Sequence, residues 1–183
     1  RRYGLYLFLD GARMSYGLAA SGNDVTLPVL AKCCDVFYLG GTKCGALFGE
    51  AIVITNPELK QDFRYMIKQK GGMLAKGRLL GIQFLELLKD NMKMYMELAE
   101  HADRLADRIR AAFQEKGFEL VCENTTNQIF VILPNAAVKA LSEQFVLSLD
   151  QVVDDGHQMV RICTSWATKE EDADKLIQAI RQI

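Results

Sequence analysis

The chain has 183 residues, room for one or two domains at roughly 150 residues each. Half of the residues are hydrophobic, a quarter are charged and the formal net charge is −1, which argues against disorder and against a basic field toward nucleic acid or an anionic membrane. Apolar runs such as Leu18–Ala20 and Ile129–Leu133 fall far short of the roughly 20 residues of a membrane helix, and five cysteines without a CxxC pair indicate neither a zinc site nor a disulfide framework. The expected compartment is therefore the reducing cytoplasm.

The first element is the run Leu5–Leu9, ended by Asp10-Gly11. Such a short, unbroken apolar run predicts a strand buried on both faces, as in a parallel sheet. Residue 1 is Arg and this strand follows almost at once, so the chain is expected to be the remainder of a longer protein. Residues 12–20 suit a short helix before the turn cluster Ser21–Asp24. Val36–Leu39, ended by Gly40-Gly41, and Ala51–Thr55, ended by Asn56-Pro57-Glu58, predict two further buried strands. The last triplet offers a helix its N-cap, a first-turn proline and a first-turn carboxylate.

Leu79, Ile82, Leu85 and Leu88 recur at helical spacing, although Gly77 and Gly81 weaken the local propensity. Leu98, Ala102, Leu105, Ile109 and Ala112 form a second stripe, closed by Lys116-Gly117. Strands follow near 118–122 and 128–133, then a helix near 135–145 and strands near 146–153 and 158–164. Thr168–Glu171 has the form of a capping box, and Ala173, Leu176, Ile177 and Ile180 give a last helix its buried face. The chain is thus an α/β protein: residues 1–92 belong to a mostly parallel sheet with connecting helices, and residues 93–183 to a smaller α+β domain.

Two polar residues stand at strand ends. Asp10 directly follows the first strand, and Lys43 comes four residues after Leu39. Ligands of open α/β sheets bind at the carboxyl ends of strands, so these two side chains can share one crevice. Singly, Asp10 reads as a turn residue of an Asp-Gly pair and Lys43 as a solvated loop lysine. The small residues of Gly40–Gly45 are expected to let a bulky ligand approach the backbone. The segment is not a P-loop, because Thr42 precedes the lysine and Cys44 follows it. His101 and His157 read as surface or hydrogen-bonded residues, and Met92, Met94 and Met96 as packing.

The strings Phe8–Arg13, Val36–Ala46 and Gly49–Val53 resemble the threonine aldolases, fold type I pyridoxal-phosphate enzymes related to the β-eliminating lyases. The resemblance continues through Lys70–Met73 to Val160–Thr164. It covers the whole chain but only the C-terminal portion of the family's length. It implies that Lys43 is the Schiff-base lysine and that Asp10 pairs with the pyridine nitrogen, keeping the ring an electron sink. Thr42 is implied to reach the cofactor phosphate. Arg13 and Arg161 are similar to arginines that bind the substrate carboxylate, where a planar fork suits a planar acid. The family carries Met-Arg where this chain has Met73-Leu74, so Lys76 or Arg78 is expected to serve the phosphate instead.

The resemblance further implies a lyase that cleaves β-hydroxy-α-amino acids to glycine and an aldehyde. The substrate is a small amino acid, the assembly a homo-oligomer, and an upstream segment supplies the phosphate loop and the stacked aromatic ring. β-Elimination or transamination on the same cofactor is the alternative enzyme reading. A non-catalytic portion that depends on the upstream segment is the alternative outside catalysis.

Overall fold

The structure, a computed structural model, describes residues 2–183, and Arg1 lies outside the described residues. It divides into two compact units. The first comprises the residues up to Leu18 together with Asn23–Glu97, and the second joins Ala19–Gly22 to Leu98–Ile183.

In the first unit, β1 (Phe8–Leu9) runs parallel to β2 (Val36–Gly40), and β3 (Glu50–Ile54) returns antiparallel on the far side of β2. A parallel pair requires a long crossover. The intervening chain supplies it with α1 (Met14–Ala19) and α2 (Leu27–Cys33). Helix α2 escaped the sequence reading, although Pro28 in its first turn was a usable signal.

Neither β1 nor β2 is buried on both faces. In β2 only Phe37 and Leu39 turn to the core, with Met14, Tyr16, Leu87 and Tyr95, while Val36 and Tyr38 are half-buried. Regular pairing in the Leu5–Leu9 run is limited to two residues, and Leu5 and Phe8 are 73% and 60% exposed. The reason is topological: β1 is the edge of its sheet among the described residues, so its outer side has no partner.

The Asn56-Pro57-Glu58 signal produces a single 3-10 turn at Pro57–Lys60, with Asn56 Oδ1 accepting the Glu58 amide at 3.0 Å. A left-handed Asp62 (φ 55°) then leads into α3 (Phe63–Gln69). The long α4 (Arg78–Glu115) is broken at Lys89–Met92, where Asp90, Asn91 and Met92 take φ of 51°, 56° and 64°. Its first stretch does not bury the periodic stripe. Leu79, Ile82 and Leu85 are exposed, and Leu80, Phe84 and Leu87 turn inward. Glycines select that face. A Cβ on Gly41 would lie 2.7 Å from the Phe84 ring, and one on Gly49 would lie 2.2 Å from the Leu80 side chain.

The second unit is an antiparallel sheet covered by helices. β4 (Glu119–Leu120), β5 (Gln128–Pro134), β6 (Ser148–Val152) and β7 (His157–Cys163) pair in the order β4-β5-β7-β6. Helices α5 (Asn135–Ser142) and α6 (Glu170–Gln182) complete it. Ile129, Val131 and Leu133 alternate inward along β5 and meet Leu105, Ile109 and Phe113 of α4, Val160 of β7 and Ile180 of α6. The expected Gly117 stop is realised as a Schellman closure. Gly117 (φ 77°) donates to Gln114 C=O at 2.9 Å, Phe118 donates to Phe113 C=O at 3.0 Å, and the two phenyl rings pack edge to face at 6.1 Å. Thr168 is not a helix cap: its hydroxyl accepts the Ser165 amide at 2.8 Å, and Lys169 takes the cap position. The short segment Ala19–Gly22 joins this unit through Thr125 Oγ1, which donates to Ser21 C=O at 2.8 Å.

Candidate active site

Asp10, Arg13, Thr42 and Lys43 of the first unit follow the carboxyl ends of β1 and β2. The last paired residues are Leu9 and Phe37, and one further step sets Asp10 beside Tyr38. Residues in register on neighbouring strands share a face, so the carboxylate and the phenol meet. Asp10 Oδ1 accepts the Tyr38 hydroxyl and, at 3.0 Å, the Ala12 amide. Oδ2 accepts no hydrogen bond from the described residues. The Tyr38 hydroxyl first, then the Ala12 amide and the charges of Lys43 and Arg13, hold the Asp10 carboxyl below the usual carboxylate range. Hydrogen bonding to that carboxylate pushes the Tyr38 phenol up to about 12, so it remains a donor at neutral pH.

Lys43 is exposed on a tight turn beyond β2, where the Cys44 and Ala46 amides donate back to Gly41 C=O at 2.9 and 3.0 Å. Side chains pin this turn. The buried Tyr16 hydroxyl donates to Lys43 C=O, Tyr95 donates to Gly40 C=O at 2.9 Å, and Glu50 Oε2 accepts the Gly41 amide at 2.8 Å. Gly40 and Gly41 do not open space for a ligand. A Cβ on Gly40 would stand 2.4 Å from Ala12 C=O and one on Gly41 2.4 Å from Gly49 C=O, so the protein's own backbone fills the room they leave. Their function is to let the strand ends and the lysine turn pack together.

Thr42 is exposed beside Lys43. Arg13 is half-buried at the start of α1, lines a cleft of about 290 Å³ with Asp10 and Gly11, and makes no side-chain hydrogen bond among the described residues. Lys76 is exposed in the turn before α4 and has no hydrogen bond or ion pair to Asp10, Thr42 or Lys43; Arg78 is exposed at the helix start. Arg161 belongs to the second unit, on β7. It is half-buried, and its guanidinium makes one long contact, 3.5 Å to Ser148 Oγ. The two histidines are hydrogen-bonded structural residues: His101 Nε2 meets Thr168 C=O at 2.8 Å, and His157 Nδ1 meets Asp154 at 3.0 Å.

No protein-family model matches the chain. It is 30% identical over 184 aligned positions to the Low specificity L-threonine aldolase of Pseudomonas aeruginosa, an alignment that covers all of this chain and 52% of that protein. The threonine aldolase structure from Leishmania major superposes with a TM-score of 0.94 at 41% identity, covering 99% of this chain and 52% of that one. Along its whole length this chain is similar to threonine aldolases. It spans about half the length of the curated relatives it matches. A putative aromatic amino acid beta-eliminating lyase/threonine aldolase from Exiguobacterium, 23% identical with a TM-score of 0.64, covers 100% of this chain and 53% of its own and shares the fold. The α/β architecture with its two sheets is that of fold type I pyridoxal-phosphate enzymes.

The donor set of this chain fits that cofactor. Asp10 offers an ionised carboxylate with one oxygen still open, and Lys43 offers an exposed amine close enough for its charge to act on Asp10. Thr42 adds a solvent-facing hydroxyl. Four residues escaped the sequence reading: Tyr38, Tyr16, Tyr95 and Glu50. Tyr38 alone had a usable signal, since it alternates with Phe37 and Leu39 and must face away from their side of the sheet.

Proposed function

We propose that the protein is part of a pyridoxal-phosphate-dependent aldehyde-lyase that cleaves β-hydroxy-α-amino acids to glycine and an aldehyde. The observation that carries this reading is the Asp10 carboxylate. It is tied down through one oxygen, open at the other and held in the field of Lys43, within a chain 41% identical to a threonine aldolase of known structure. Pyridoxal phosphate, when bound, supplies an aldehyde for an amine to condense with and a ring that takes up the electrons of a bond broken at Cα.

In this reading Asp10 Oδ2 holds a proton at the pyridine nitrogen, and Lys43 Nζ provides the covalent anchor. Thr42 and Lys76 would bind the phosphate. Arg13 and Arg161 would bind the substrate carboxylate, which the spare hydrogen-bonding capacity of both guanidinium groups supports. Residues 1–92 would be part of the cofactor domain and 93–183 the small domain; the break in α4 at Lys89–Met92 supports that division. A homo-oligomer and an upstream segment belong to the proposal as well, supported by the exposed apolar side chains of β1 and α4. The cytoplasm is the proposed compartment, since Cys33, Cys122 and Cys163 are exposed free thiols. No described helix is long and apolar enough to cross a membrane.

Borohydride reduction of protein equilibrated with pyridoxal phosphate, followed by peptide mapping, tests the anchor. The label is expected on Lys43, and a label on Lys32 or Lys76 instead would refute the assignment. Assays on threonine and other β-hydroxy-α-amino acids are expected to release glycine and an aldehyde. Pyruvate and ammonia as the main products would point to β-elimination. Asp10→Asn should leave labelling of Lys43 intact and lower turnover by roughly a hundredfold or more.

A further inference from the structure

We propose that Tyr38 is a positioning residue for Asp10: its hydroxyl, acting with the Ala12 amide on Oδ1, fixes the carboxylate so that Oδ2 alone is presented to the cofactor's pyridine nitrogen. The inference rests on the reading of Asp10 given above. Its geometric basis is the sheet itself. The parallel register sets position 10 beside position 38, and the alternation of β2 turns Phe37 and Leu39 to the core and Tyr38 to the other face. The Tyr38 ring is steadied on that face by Phe8, two residues before Asp10, with centroids 6.0 Å apart. Tyr38 is therefore held within β2, and Asp10 directly follows the last paired residue of β1.

A carboxylate with two equivalent oxygens can rotate and share a proton from a ring nitrogen in several orientations. Two donors on Oδ1 remove that freedom and leave one acceptor oxygen. They also stabilise the ionised form, so Asp10 stays an anion able to hold a ring proton across the physiological range. The charged groups acting on the pair are Lys43 and Arg13, which favour the Asp10 anion, and Glu50, which favours the neutral phenol. Each of these influences keeps the same arrangement: phenol protonated, carboxylate ionised.

Tyr38→Phe is the decisive variant, because it keeps the ring against Phe8 and removes only the donor. The first measurement is the carboxyl titration of Asp10 by carbon-detected NMR without added cofactor, with Asp10→Asn identifying the signal. Its midpoint is expected to move up in Tyr38→Phe, and an unchanged midpoint overturns the proposal. The second measurement is the visible absorbance of pyridoxal-phosphate-loaded protein as a function of pH, with turnover measured alongside. The midpoint of the spectral change should move, and kcat should fall roughly tenfold with KM for the amino acid within about twofold, as for loss of a hydrogen bond to a charged group. Unmoved spectra in a variant whose Asp10 titration has moved would show that the contact does not act on the cofactor, which also overturns the proposal. Absence of pyridoxyl label from Lys43 in the unaltered protein would instead refute the functional reading, and the positioning role with it. That failure is distinguishable because the Asp10 titration would still shift.

Discussion

The two compact units carry similar apolar patterning and use it differently. In the second, the stripes of α4, β5 and α6 find partners, while the edge strand β6 is exposed along its length: Leu105, Ile109 and Phe113 of α4 close against Val131, Leu133, Val160 and Ile180, all of them buried. In the first, equally apolar positions stay open. Leu5, Leu7 and Phe8 on the sheet edge, Ile52 on β3, and Leu79, Ile82 and Leu85 on α4 are exposed, while the core is limited to one face of the sheet. Hydrophobic spacing specifies that a face is suited to burial, without naming what buries it. The candidate chemistry sits in the open unit, at the strand ends.

This contrast can be broken by measurement. Phe113→Ala should cost about 3–5 kcal/mol in denaturant unfolding of the second unit, because the ring is fully buried and closes both the core and the Schellman turn. A cost below about 1 kcal/mol would mean that this unit is not the well-packed one. Asp103 makes a subtler test. It is buried, and burial first, then Asp107, pushes its carboxyl up to about 7 against the opposing pull of the Arg110 charge and the Asn127 amide. The folded state therefore holds this proton more tightly than the unfolded chain. The contribution of Asp103 to stability should be greatest below the ordinary carboxylate range, fall as pH rises to about 7, and level off above. Asp103→Asn should remove that slope and raise the melting temperature above pH 7, and a slope unchanged in the variant would refute the assignment.

Two smaller effects sharpen the comparison inside the first unit. Tyr95→Phe deletes the buried hydrogen bond to Gly40 C=O and should cost about 1–3 kcal/mol, since a buried carbonyl is left without a partner. The same variant should increase amide exchange at Lys43 and Cys44, whose turn begins there. Ile82→Ala, on the open face, should change stability by less than about 0.5 kcal/mol in this chain. If it cost as much as Phe113→Ala, the face would be covered and the contrast between the units would fail.

Much of the fold was legible. The α4 stripe from Leu98 to Ala112, the Gly117 stop, the alternation of β5 and the buried face of α6 follow from spacing alone, because each has its partners within the second unit. The Leu79–Leu85 stripe misled for the opposite reason. Its period is helical, but Gly41 and Gly49 offer their bare backbone to Phe84 and Leu80, and that contact rotated the helix. Thr168 misled because a hydroxyl three residues before a carboxylate can turn back to its own loop, here to the Ser165 amide. Around the candidate site, the strand ends that carry Asp10 and Lys43 could be read from apolar runs ended by glycine. The tyrosines could not: Tyr16, Tyr38 and Tyr95 lie 27, 28 and 55 residues from the groups they bond.

The sequence by itself determined most of the local elements, though not α2, and the residue types available at two strand ends, since these depend on side-chain period and turn chemistry over a few residues. Only the tertiary structure decided which face of α4 packs, which oxygen of Asp10 stays open, and which side chains hold the Lys43 turn. Those outcomes depend on register between strands and on where a missing Cβ lets two backbones meet, and both are relations between residues distant in the chain.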